Sequence, residues 1–191
     1  MKALLLDGSR EGDSLTPVAV LGMHSALAGR EADVELLKLR ELAIAPCTGC
    51  FGCWTRTPGE CVFPDDSRGV LRSYVGSDVV VYATPVTFGG YSSLLKTTLD
   101  RIILPVLDPR FTVVGGEVHH RLRYRRYPKT IGLGTLPAPD PEAERLFATL
   151  VSRNGLNVHR SAEGAVLVGE TDPGSARAFA ERLLDRAGVA P

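Results

Sequence analysis

Short apolar runs alternate along the chain with amphipathic stretches, and the period of each decides its reading. Ala3-Leu4-Leu5-Leu6 is uninterrupted and ends at Asp7-Gly8-Ser9, the signature of a parallel strand buried on both faces. A polar loop, Gly8 to Ser14, leads to a helix predicted over 16–28. Thr16 is expected as its N-cap, with Pro17 at the first helical position. Residues 33–39 alternate as a strand with one partly exposed face would, which suits a sheet edge. Residues 43–63 carry Pro, Gly and Thr throughout and read as a long loop, a length that usually signals function. Beyond it the pattern predicts a helix at 66–75, a buried strand at 78–83, a loop at 84–90 and a helix at 92–103. A fourth strand follows at 129–133, a helix at 141–154, a fifth strand region at 158–168 and a last helix at 174–187. Five strands alternating with helices predict a parallel sheet covered on both faces, in one domain over 1–191. The segment 104–128 is too long for an ordinary helix-to-strand connection and reads as an insertion.

Composition narrows the class. With 191 residues, 44% hydrophobic and 23% charged, the chain has the make-up of a globular protein with a full core. Its 22 Lys plus Arg balance 22 Asp plus Glu, which argues against a general nucleic-acid binder. No apolar run approaches the ~20 residues of a membrane span. The first apolar run is cut off by Asp7 too early for a signal peptide, so the expected compartment is the cytoplasm, where thiols stay reduced.

The loop leaving the first strand, Gly8-Ser9-Arg10-Glu11-Gly12-Asp13-Ser14-Leu15-Thr16, is rich in glycine and hydroxyls. Such a turn, opening a helix, presents backbone N–H groups to an anion, and Ser9, Ser14, Thr16 and Arg10 add side-chain donors. It lacks the Gly-Lys-Ser/Thr of a Walker loop and the Gly-x-Gly-x-x-Gly of a dinucleotide site. A single phosphate monoester, as in FMN, suits it; an ordinary capped turn is the bland alternative. After the third strand, Thr84-Pro85-Val86-Thr87-Phe88-Gly89-Gly90 offers backbone N–H groups to a flat ring edge, with Phe88 packing nearby. Gly132-Leu133-Gly134-Thr135 leaves the fourth strand on the same sheet edge.

Gly8-Ser9-Arg10, Pro46-Cys47-Thr48-Gly49-Cys50-Phe51-Gly52-Cys53, Asp65-Asp66, Thr84-Pro85-Val86 through Gly90, and Leu95-Lys96 to Asp100-Arg101 occur in that order. This succession resembles the NADPH-dependent FMN reductase superfamily and, within it, the iron–sulfur flavoproteins. The resemblance implies a flavodoxin-like three-layer α/β sandwich with a five-stranded parallel sheet in order 2-1-3-4-5. It implies non-covalent FMN, with the phosphate on the loop of Ser9, Arg10, Ser14, Leu15 and Thr16. The isoalloxazine would lie on Thr84, Pro85, Val86, Thr87, Phe88 and Gly89, with Gly134 alongside. It also implies a dimer or tetramer. Thr87 departs from the tyrosine often found there in relatives.

The four cysteines follow Cys47-x2-Cys50-x2-Cys53-x7-Cys61. Closely spaced Cys-x2-Cys turns supply three thiolates to a [4Fe–4S] cluster, and Cys61 can close the site after the Pro58-Gly59 turn. Zinc usually takes two such knuckles set further apart. A redox dithiol at Cys50 and Cys53, or free packed cysteines, are the other readings.

Within 119–129 lie His119, His120, Arg121, Arg123, Arg125, Arg126 and Lys129. They would serve an anionic substrate such as the NADPH phosphate, or else form a structural arm paired elsewhere. Asp100-Arg101 is expected to make a structural salt bridge. The leading function is an FMN-dependent oxidoreductase, driven by NADPH, NADH or a protein donor, that reduces a quinone, flavin or similar small molecule. The alternatives are a [4Fe–4S]/FMN electron-transfer protein with protein redox partners, and a non-enzymatic flavin-binding redox sensor.

Overall fold

The structure is a computed structural model and describes residues 1–190. Its seven strands are β1 (Lys2–Asp7), β2 (Asp33–Lys38), β3 (Val79–Pro85), β4 (Leu107–Val114), β5 (Glu117–Leu122), β6 (Lys129–Leu136) and β7 (Ala162–Val168). Six helices accompany them: α1 (Leu15–Ala28), α2 (Gly52–Thr55), α3 (Ser67–Gly76), α4 (Ser93–Val106), α5 (Pro141–Asn157) and α6 (Pro173–Arg186). The main sheet is wholly parallel in the order β2-β1-β3-β6-β7. With β4 and β5 set aside as a separate pair, this is the expected flavodoxin-like 2-1-3-4-5 order.

Strand alternation divides the core in two. Ala3, Leu5, Val79, Val81, Ile131 and Leu133 face α1 and α6. Leu4, Leu6, Val80 and Tyr82 face α3, α4 and α5. Both faces of β1 and β3 are therefore apolar, which is why these strands read as continuous runs. β2 is half-exposed, as an edge strand should be.

Three expectations change in detail. Helix α1 begins at Leu15, with Ser14 rather than Thr16 at the N-cap, and Ser14 makes no side-chain cap bond. The Asp13 carboxylate accepts from the N–H groups of Leu15 (3.1 Å) and Thr16 (3.0 Å), starting the helix earlier. Pro17 then sits at the third helical position, still inside the first turn, where no i−4 acceptor is available and its missing N–H costs little. The cysteine-bearing segment contains one helical turn, α2, rather than being loop throughout. The insertion at 104–128 extends α4 to Val106 and then forms the antiparallel β4–β5 hairpin, with a register shift between Asp108 and Phe111.

The α1–α6 packing depends on Gly22. A Cβ there would lie 2.6 Å from the Ala176 carbonyl carbon and 2.7 Å from the Arg177 nitrogen, both backbone atoms that cannot step aside. Gly22→Ala is expected to cost about 1–3 kcal/mol by overpacking and to lower the melting temperature by several degrees. A thermal melt indistinguishable from that of the unmodified protein would contradict this packing.

Candidate functional site

At the carboxyl edge of the sheet, the loops after β1, β3 and β6 are tied together from beneath. The Gly8 N–H donates to the Ala83 carbonyl (2.8 Å), and the Ser92 hydroxyl donates to the Gly8 carbonyl (2.8 Å). The Ser92 N–H donates to the Thr84 hydroxyl (2.9 Å), while the Leu95 N–H donates to the Ser92 hydroxyl, making Ser92 the cap of α4 as well. Toward β6, the Val86 N–H donates to the Thr135 carbonyl (2.9 Å). The Thr16 and Thr135 hydroxyls bond each other at 2.6 Å. Gly8, Ser92, Thr84, Thr16 and Thr135 are buried, so these bonds form a polar layer under the loops.

The structure sorts the expected loop residues by depth. Thr16 and Thr84 lie in the buried layer. Gly134 sits inside β6, where a Cβ would meet Val86 at 2.7 Å and Phe147 at 3.0 Å, so its lack of a side chain serves packing. Ser9 is buried too: its N–H donates to Asp7 (2.8 Å), and its hydroxyl accepts from Arg40 (2.6 Å), which also reaches Asp7 (3.3 Å). Arg10 and Ser14 are exposed at the rim, and Leu15 is half-buried. Gly12, at φ +80°, has open space where a Cβ would be. Asp13, which occupies the first donors of α1, keeps its second carboxylate oxygen buried and unpartnered.

The loop after β3 closes as a two-residue turn. Thr87 and Gly90 exchange N–H···O bonds of 3.0 and 2.9 Å, with Phe88 at φ +50° and Gly89 at φ +73° between them. Two successive left-handed residues define a type I′ turn, which Gly89 accepts freely and Phe88 does not. The cross-bonds occupy the N–H groups of Thr87 and Gly90 and leave those of Phe88 and Gly89 at the tip. Pro85, Val86 and Thr87 are half-buried and Gly89 is covered, whereas Phe88 is fully exposed rather than packed. A left-handed, solvent-facing phenylalanine costs stability. A crevice of about 400 Å³ lies between α4 and α5, bordered by Gly90 of this turn and by Tyr74, Tyr82, Tyr91, Leu99 and Asn154. Burial pushes the Tyr74 and Tyr91 phenols up to about 12, so both stay neutral.

The four cysteines come together. Cys47, Cys50, Cys53 and Cys61 line one small pocket with Phe51, Phe63, Leu104 and Arg101, and none is in a disulfide. Among the described residues, no three His, Cys, Asp or Glu side chains gather as a single metal ion would require. The segment is stapled at both ends. Asp66 accepts from the Ala43 N–H and Asp65 from the Ala45 N–H. Arg101 donates to the Ala45 carbonyl (2.7 Å), and Arg68 to the Cys61 carbonyl (2.9 Å). The Trp54 indole N–H reaches the Leu104 carbonyl (2.7 Å), fixing α2 on α4. The expected structural salt bridge forms at Arg101, which pairs with Asp65 at 2.9 Å, while Asp100 pairs with Lys96.

Two cations of the basic arm are structural, whereas Arg121, Arg125 and Arg126 are exposed. Arg123 donates to the carbonyls of Pro105 and Leu107, and Lys129 to that of Ala187. These partners are backbone carbonyls. His120 lies between Trp54 and Phe111, each ring 4.7 Å away, and His119 faces His159 at 6.4 Å, a neighbour distant in sequence.

Residues missed in the sequence are Arg40, Ser92 and Asp13. Ser92 carried a readable signal, a serine just before an apolar periodic run; Arg40 carried none.

The thiols differ in character. Hydrogen bonds from the Gly52 N–H and the Thr48 hydroxyl hold the Cys50 thiol below its ordinary range, whereas burial and then the neighbouring Cys61 push Cys53 up. Thiolates, not thiols, are alkylated. Iodoacetamide mapping of the metal-free reduced protein across pH 6–9 is therefore expected to show Cys50 reacting at lower pH than Cys53. Coincident pH profiles would contradict the assignment.

Comparison with known proteins agrees with this fold. Residues 1–121 match the family described as NADPH-dependent FMN reductase. The chain is 31% identical over 101 residues to an iron–sulfur flavoprotein of Methanocaldococcus jannaschii, covering 53% of this chain and 51% of that protein. It is 31% identical over 102 residues to an iron–sulfur flavoprotein of Archaeoglobus fulgidus, covering 53% and 48%. The chain thus matches about half the length of these relatives. An NAD(P)H:quinone oxidoreductase from Methanothermobacter marburgensis superposes with a TM-score of 0.71 at 13% identity, covering 95% of this chain and 96% of that one, a likeness of fold. With the match running through more than half of its length, including the first two loops and the cysteine segment, the chain belongs to the NADPH-dependent FMN reductase family.

Proposed function

We propose that this protein is a flavin-dependent oxidoreductase that binds FMN across the loops after β1, β3 and β6. In this reading it takes electrons from NADPH or NADH and passes them to a quinone, a flavin or a similar acceptor. The observation that carries the reading is the type I′ turn at 87–90, held over the buried Ser92–Gly8–Thr84 layer with two N–H groups at its tip. FMN, when bound, supplies the redox chemistry, accepting electrons in pairs and releasing them in pairs or singly.

The protein's residues do the positioning. Ser14 and Arg10 hold the phosphate at the rim of the β1 loop, with Gly12 leaving room for its approach. Asp13 completes the α1 N-terminus internally, so the phosphate relies on hydroxyl, guanidinium and loop N–H donors rather than on the helix end. The Phe88 and Gly89 N–H groups would hold the ring edge, with the exposed Phe88 side chain beside it. Thr87 offers a smaller surface there than a tyrosine would.

A second reading, an electron-transfer protein holding an iron–sulfur cluster beside the flavin, is favoured by the four thiols around one pocket. Four thiolates are the donor set that such a cluster takes. The enclosed space is about 20 Å³, room for little more than a water molecule, so loading requires the exposed Cys47–Cys50 stretch to open outward.

Steady-state oxidation of NADPH or NADH by FMN-loaded protein, with quinones and free flavins as acceptors, is the test. Turnover with at least one nucleotide is expected. No turnover with either, alongside rapid reduction by ferredoxin, would replace the first reading with the second.

A further inference from the structure

We propose that Arg101 is the hydrogen-bonding and charge-balancing partner of an anionic iron–sulfur cluster in the cysteine pocket, a role that rests on the cluster reading above. Its side chain is 1% exposed, yet it lines the pocket with all four cysteines. One Nη donates to the Ala45 carbonyl; the other donates to Asp65 (2.9 Å) and to the Ser67 hydroxyl (3.1 Å). The Nε–H is buried without an acceptor. An unmade hydrogen bond at a buried charged group is costly, and such orphans call for an explanation.

The surroundings limit what the acceptor can be. Asp65, the carboxylate paired with Arg101, also accepts from Ala45 N–H, Ser67 N–H and the Ser67 hydroxyl, so its negative charge is shared. Asp100, on the pocket wall, is committed to Lys96. Phe63 lies 5.8 Å from the guanidinium carbon and accepts no conventional hydrogen bond. Thr48 also lines the pocket, its hydroxyl committed to Cys50; the other side-chain acceptors there are the four cysteine sulfurs. A cluster ligated by four thiolates is anionic, its sulfurs accept N–H bonds, and such bonds raise its reduction potential by stabilising the more negative reduced form. Arg101 also holds the carbonyl two residues before Cys47, so one side chain sets both the path of the ligand loop and the electrostatics of its contents.

Pulsed EPR of the reduced, cluster-loaded protein, prepared with ¹⁵N-arginine, is expected to show a ¹⁵N coupling from the Nε–H···S contact. This needs no variant to fold. Arg101→Lys, which keeps the charge and loses the Nε donor, should abolish the coupling. It should also disfavour cluster reduction at least tenfold, a drop of about 59 mV for one electron, with the flavin potential unchanged as the control for folding. A loaded cluster with neither the coupling nor the potential shift overturns the role of Arg101 and leaves the cluster standing. Anaerobically prepared wild-type protein with no iron or acid-labile sulfide overturns the cluster reading, and this inference with it.

Discussion

The carboxyl edge of the sheet, where the proposed flavin loops lie, rests on the hydroxyl of Ser92. It donates to the Gly8 carbonyl and accepts from the Leu95 N–H, while the Ser92 N–H donates to Thr84. Through one buried residue, the loop after β1, the loop after β3 and the start of α4 are fixed relative to one another. Each such bond contributes about 0.5–1.5 kcal/mol, but an orphaned partner costs about 1–3 kcal/mol, so the layer holds its geometry or fails as a unit. Thr16 and Thr135 extend it to the β6 loop. The strain at Phe88 is carried above this layer, and a rigid base is what allows a left-handed phenylalanine to persist there.

The cysteine segment depends on a comparable anchor. Asp65 and Arg101 bond to each other and to the backbone of Ala45, while Trp54 and Arg68 secure α2 and Cys61. A stretch rich in glycine and proline thereby acquires a defined course without contributing much to the core. Both anchors attach to α4, at its N-terminus through Ser92 and midway along it through Arg101. One helix thus connects the proposed flavin loops to the thiol pocket.

What the sequence made legible follows from how locally each feature is determined. The central strands could be read because burial on both faces leaves an uninterrupted apolar run, as in Leu4-Leu5-Leu6 and Val79-Val80-Val81. The order of loop motifs anticipated the strand order of the parallel sheet. The start of α1 was displaced because the Asp13 carboxylate supplies the capping bonds from a position that reads simply as loop. The β4–β5 hairpin escaped because Phe111, Val113 and Val118 lie exposed on it, so its apolar residues do not report a core. The partners of Arg40, Arg101 and Arg123 are set by tertiary folding, and no spacing along the chain encodes them.

The central claim is that the β1 loop takes the phosphate of FMN, and Asp13 permits a direct test. Its carboxylate adds a negative charge to that loop, with one oxygen buried and unpartnered. Asp13→Asn keeps an acceptor for the Leu15 and Thr16 N–H groups while removing the charge. Relieving like-charge repulsion of the order of 1–2 kcal/mol corresponds to roughly tenfold in affinity. Equilibrium fluorescence titration with FMN and with riboflavin, which lacks the phosphate, is the measurement. The account predicts that the variant binds FMN about tenfold more tightly and riboflavin with unchanged affinity. Equal changes for both ligands, or none for either, would place the phosphate elsewhere and contradict it.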